Sequence, residues 1–222
     1  MNYYRVVTAY LDKQSRLPAL PDNLLNSIHT WLSPYYTRSI AKYFSGKPTS
    51  TVSKTFKVND PRIINVKTLK VKFIPKQFKF HALYNPNYNT IIVGIPAYLT
   101  KQTLESPEEL SYDLKTYLQH ELIHFLQLNT EHNIGGKIQD TEYRSGQQYN
   151  QDYGQEYFRY SEEIKPNLVN AVDRFKYIYK NNFDADDIRN FVDSSDFFTA
   201  LKVDTKLFNS TVKDFYLLIA SD

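Results

Sequence analysis

The sequence predicts an α+β fold: a small, mostly antiparallel sheet packed on one long helix, followed by a helical C-terminal half. Three observations predict it. Between Leu69 and Ile95 apolar and polar side chains alternate with period two, broken by short turn signals. From Ser106 to Leu128 the apolar residues recur at helical spacing behind an N-terminal capping signal. Beyond about Phe158 the apolar residues again fall at helical spacing.

The chain begins with polar and aromatic residues, Met1-Asn2-Tyr3-Tyr4-Arg5, without the apolar run of a signal peptide, and no stretch approaches a membrane span. The expectation is a soluble protein, cytoplasmic as made, with no membrane partner. Asp22 reads as the N-cap of a short helix carrying Leu24, Leu25, Ile28, Trp31 and Leu32, stopped at Pro34. A second helical piece runs from Tyr35 to about Phe44, ended by Gly46-Lys47-Pro48. Residues 47–62 are rich in Ser, Thr and Lys, lack an apolar period and read as an exposed loop or arm. Residues 1–62 therefore group as N-terminal helices and a basic arm, with residues 63–222 as the main domain of one continuous globular unit.

Leu69 to Ile74 alternates lysine with apolar side chains, as a half-buried strand does, and Phe78 to Tyr84 repeats the pattern. Asn85-Pro86-Asn87 is a turn, and Tyr88 to Ile95 reads as a third strand. The short connections predict an antiparallel meander. His29 reads as a packed or surface residue, and His81 as a strand residue without a metal role.

Ser106-Pro107-Glu108-Glu109 is a capping box with proline at the first helical position. The stripe that follows is Leu110, Leu114, Tyr117, Leu118, Leu122, Phe125 and Leu128. Inside this helix lies His120-Glu121-Leu122-Ile123-His124, an H-E-x-x-H pentapeptide. Two histidines four apart on a helix point the same way, so their ring nitrogens can converge on one cation. The glutamate after the first histidine is placed as general base toward a metal-activated water. Glu121 falls inside the apolar arc, where an unpaired carboxylate is costly. A nearby cation gives it a reason to be there.

The chain holds no cysteine, so disulfides and thiolate zinc sites are excluded and zinc must sit on His, Glu or Asp. A third ligand is needed beside the two histidines. Residues 133–153 read as a long polar loop; the next helix carries Ile164, Leu168, Val172, Phe175 and Tyr179, with Pro166 kinking it or marking its first turn. Glu163, just before Ile164, borders the core side and is the first choice, ahead of Glu162. Both glutamates would also suit a helix N-terminus through the dipole. Two more helices close the chain, near Ala185–Val192 and Asp204–Ala220.

The net charge of +3 is unevenly spread. Asp60 is the only acid between Arg38 and Lys79, against many lysines, while Asp184, Asp186, Asp187, Asp193, Asp196 and Asp204 bias the C-terminal part the other way. A solvated face explains this most simply; an acidic partner or nucleic acid for segment 38–79 is the alternative.

His120-Glu121-x-x-His124 with a glutamate on a downstream helix resembles the gluzincin branch of the zincin metallopeptidases. It is also similar to small H-E-x-x-H proteins of bacteriophages, in which a glutamate followed by an apolar residue opens the next helix. The resemblance spans residues 69–180, with the pentapeptide as its specific part. It implies a zincin-like domain over 63–222 that binds Zn2+ and hydrolyses peptide or protein substrates. It also implies a mixed sheet before the motif helix whose edge strand lines the substrate cleft; Tyr88 to Ile95 stands where that strand belongs. Relatives use a tyrosine or histidine to stabilise the oxyanion, and Tyr160, Tyr157 and Tyr143 stand as candidates among nineteen tyrosines. Gln127 and Thr130 stand where the metzincin pattern needs glycine and histidine, and His132 comes two residues late. Asp152-Tyr153-Gly154 resembles the aspzincin signature, which leaves Asp152, and behind it Asp140, as other third ligands. A non-catalytic structural or virion-associated protein on the same scaffold is the competing expectation, with virion assembly as its setting.

Overall fold

The computed structural model describes residues 22–61, 63, 66–78, 81–97, 99, 106–129, 161–180 and 182–220. Among them the chain forms two compact units, one within Ala19–Ile134 and one within Gly135–Asp222. The fold is mixed α+β, with a four-stranded sheet in the first unit and helices in the described residues of the second.

The first unit opens with helix α1, Asp22–Phe44, which runs unbroken through Pro34. Two pieces split at Pro34 were expected. Proline removes the N–H that would bond the carbonyl of Thr30, yet Thr30 and Pro34 are both exposed, so water can satisfy that carbonyl. Along the opposite face Ile28, Leu32, Tyr36 and Ile40 are buried at a spacing of four. Four large side chains, each stabilising by about 1.5–3 kcal/mol when buried, outweigh a proline penalty of about 3 kcal/mol.

The sheet consists of β1 (Val52–Lys57), β2 (Thr68–Phe78), β3 (Ala82–Asn85) and β4 (Thr90–Pro96), in the order β1-β2-β4-β3. This corrects the sequence expectation in three places. Residues 52–57 are a strand, not part of an arm: β1 pairs antiparallel with β2 from Val52↔Phe73 to Lys57↔Thr68. Only Phe56 is buried on it, so the strand carries almost no apolar period to read. The sheet is also not a meander. β4 inserts between β2 and β3, parallel to the first and antiparallel to the second. Finally, β4 is interior, so the segment Tyr88 to Ile95 is not an edge strand; β1 and β3 are the edges.

Pairing puts Phe56, Leu69, Val71, Phe73, Ala82, Tyr84, Ile91 and Val93 on one face, where they share a core with α1 and with helix α2, Pro107–Asn129. The Ser106 hydroxyl accepts the Glu109 N–H, the first half of the expected capping box. Leu110, Leu114, Leu118, Leu122 and Phe125 are buried. His29 on α1 lies 2.9 Å from the Ser111 carbonyl of α2, a structural tie between the helices.

The second unit contains α3 (Ser161–Tyr179), α4 (Ala185–Ser194), α5 (Asp196–Leu201) and α6 (Thr205–Ile219). The sequence predicts two helices after α3, and the described residues form three. Helix α5 spans six residues, too short for a helical period to stand out. Asp184 and Asp187 form a reciprocal capping box on α4, and Asp204 caps α6. The core centres on Phe175, whose ring meets Tyr179, Phe183, Phe191 and Phe215. Pro166 lies inside α3 rather than in its first turn.

Candidate metal centre

Helix α2 brings the motif together because its stripe and its histidines share one side. His120 and His124 are both buried, one turn apart, and their Nε2 atoms lie 3.1 Å from each other. Two nitrogens at about 2.0–2.1 Å from one tetrahedral zinc stand about 3.3–3.4 Å apart. The observed separation is close to that, and the imidazoles meet at 71° rather than stacking.

The tautomer of His124 follows from its neighbour. Gln127 Oε1 lies 3.0 Å from His124 Nδ1; an amide oxygen only accepts, so this contact is a hydrogen bond in the tautomer that carries its proton on Nδ1 and leaves the Nε2 lone pair open to a cation. Gln127 is itself buried. Its role leaves no mark in the sequence beyond its position three residues after His124, which places both on one helix face.

Glu163, at the start of α3, is buried. His120, His124 and Glu163 each offer one ligand atom, and these atoms all lie within 4.8 Å of one another. This buried group can hold a metal ion. Two imidazoles and a carboxylate are a donor set that suits zinc and other divalent transition metals. The carbonyl of Glu163 accepts from Asn167 Nδ2 at 2.8 Å, which braces the turn that carries it.

Glu121 is not a member of that group. It is buried, and its Oε2 accepts the backbone N–H of Tyr84 at 2.6 Å. Tyr84 lies on edge strand β3, so a main-chain donor on the sheet edge holds the carboxylate. The structure thus supplies a second reason for a glutamate in the apolar arc: a charge-assisted hydrogen bond to the neighbouring strand. The Tyr84 hydroxyl in turn donates to Asn89 Oδ1 and accepts from Asn129 Nδ2 at the end of α2. These bonds tie strand and motif helix at two points.

His81, just before β3, stacks on Tyr117 with ring centroids 4.3 Å apart. Burial, and secondarily the charge of His120, pushes its imidazole down to about 4, so it is neutral at neutral pH. It is not part of the three-residue group. Tyr143, Tyr157, Tyr160, Asp140, Asp152 and the side chain of Glu162 lie outside the described residues, as does the 133–153 loop.

Among the described residues no helix is long and apolar enough to cross a membrane. No family model matches the chain, and neither any curated protein nor any solved structure matches it.

Proposed function

We propose that the chain is a zinc-dependent metallopeptidase of the zincin type, acting on peptide or protein substrates. The observation that carries the reading is the pair of Nε2 atoms facing each other at 3.1 Å beside a buried carboxylate. Such a pocket is costly to build from charged and polar groups unless a cation joins them.

In this reading His120, His124 and Glu163 hold the ion. A zinc ion there would supply a Lewis acid that acidifies water and polarises a carbonyl. Glu121 supplies the proton transfer: its Oε2 is fixed by the Tyr84 N–H, which leaves Oε1 to take a proton from the attacking water. The same oxygen then delivers that proton to the leaving amine nitrogen. Gln127 keeps the His124 imidazole in the tautomer that directs Nε2 inward.

The test is zinc content measured beside turnover of unstructured protein and cell-wall peptides, in the wild type and in Glu121→Gln. The expected result is one zinc per chain in both proteins, with turnover lowered about 10²–10⁴-fold in the variant. Stoichiometric zinc with no turnover on any of these substrates would instead assign the chain to a non-catalytic, structural or virion-associated role.

A further inference from the structure

The four strands of the sheet contain no aspartate or glutamate, yet β1 and β2 together carry Lys54, Lys57, Lys70, Lys72 and Lys76. Strand pairing sorts these lysines. Lys54 belongs to the apolar face, its ammonium over the rings of Trp31 and Phe56. Lys57, Lys70 and Lys72 fall on the opposite face, because Lys57 pairs with Thr68, Lys70 with Thr55 and Lys72 with Ser53. Thr90 joins the same face through its pairing with Lys70. Lys57 and Lys70 are exposed and Lys72 is half-buried, and no ion pair to these three lysines is found among the described residues.

A face that serves solubility alone normally mixes both signs, and opposite charges across a strand pair would stabilise it. Here each lysine sits across from a hydroxyl. Lysines interleaved with serine and threonine hydroxyls are the donor set that contacts phosphate oxygens. One large exposed ring lies close in the chain: Tyr88 is 77% exposed in the short 3-10 turn before β4, two residues from Thr90. Asn89, between them, accepts the backbone N–H of Lys70.

We infer that this face, carrying Lys57, Lys70 and Lys72 with Tyr88 at its end, binds the backbone of single-stranded nucleic acid, with one base stacked on the tyrosine. The inference does not depend on the metal site. It fits a strand better than a rigid duplex because the exposed ring needs an unpaired base to stack on.

The experiment titrates the full chain into a fluorescent oligothymidylate, with a chelator present, at 50 and 200 mM salt. Three neutralised phosphates predict a log–log salt slope of about −2, so affinity should fall about 20-fold between the two conditions. Lys70→Ala with Lys72→Ala should weaken binding at least tenfold and flatten that slope, whereas Lys202→Ala with Lys206→Ala, matched in charge, should not. Tyr88→Ala should cost at least fivefold without changing the slope. Absence of binding at 50 mM salt, or equal binding by the Lys70/Lys72 variant, overturns the inference. So does tighter binding to polyglutamate or to anionic vesicles than to the oligonucleotide, since the face would then serve an acidic protein or a lipid surface.

Discussion

Gln127 and Tyr84 show how single residues set the chemistry of their neighbours. If Gln127 fixes the His124 tautomer, Gln127→Leu should lower zinc affinity about 10–100-fold while leaving the helix intact. Calorimetric zinc titration beside a circular dichroism spectrum checks both halves of that statement. Burial raises the Tyr84 phenol to about 12, against the opposing hydrogen bond from Asn129. Between pH 10 and 12 the unfolded chain has lost a proton that the folded chain keeps. Stability therefore falls as pH rises across that window, by about 3 kcal/mol for this group. Tyr84→Phe removes that component, so denaturant titrations at pH 9 and pH 11.5 should differ less in the variant than in the wild type. At this scale the motif is plainly legible in the sequence, because His120, Glu121 and His124 lie in one turn of a strongly periodic helix. Glu163 is legible as a core-side carboxylate from its place before Ile164, and it is buried. Gln127 escapes notice because a glutamine on a helix carries no signal until its partner's ring orientation is known.

Among the elements, the helices that read well are those whose burial is periodic and local. Helix α2 is capped by Ser106 and buries five of the seven stripe residues read from its sequence, with Tyr117 and Leu128 half-buried. Helix α1 misleads because proline is a local signal, whereas the burial that carries the helix past it depends on the sheet beneath. Pro34→Ala should raise the melting temperature, since it restores an N–H to the Thr30 carbonyl on an exposed face. A lowered melting temperature would mean that the proline shapes a bend the core needs. Strand β4 makes an opposite demand at Gly94, where a Cβ would run into the ring of Phe78. Gly94→Ala should destabilise by about 1–3 kcal/mol, read from the denaturation midpoint, because that ring must shift. The order of the strands is not legible at all. Short connections favour neighbours in sequence, yet β4 pairs with β2 and β3 is left outside, a choice set by which strand can bury both faces. Ile91, Val93, Gly94, Ile95 and Pro96 are all buried, which suits an interior strand.

The molecule as a whole is a mixed α+β chain with a lysine-bearing sheet face and, among the described residues, a buried group able to hold a metal ion. Its charge asymmetry is visible in the sequence, but the sorting of Lys54 from Lys57, Lys70 and Lys72 is not, because only the β1–β2 register decides it. A ligand that binds only the folded state raises its stability by mass action, about 4.1 kcal/mol at a free concentration 1,000 times the dissociation constant. For a chain of this size that is about 8–16 °C in melting temperature, so chelation should lower it by that amount and zinc should restore it. The central claim is that His120, His124 and Glu163 together hold the ion, and zinc titration of the metal-free chain beside Glu163→Ala addresses it most directly. The account predicts one tight site per chain, weakened more than about 100-fold in the variant. Unchanged affinity in Glu163→Ala, or no stoichiometric binding in the wild type, would contradict it.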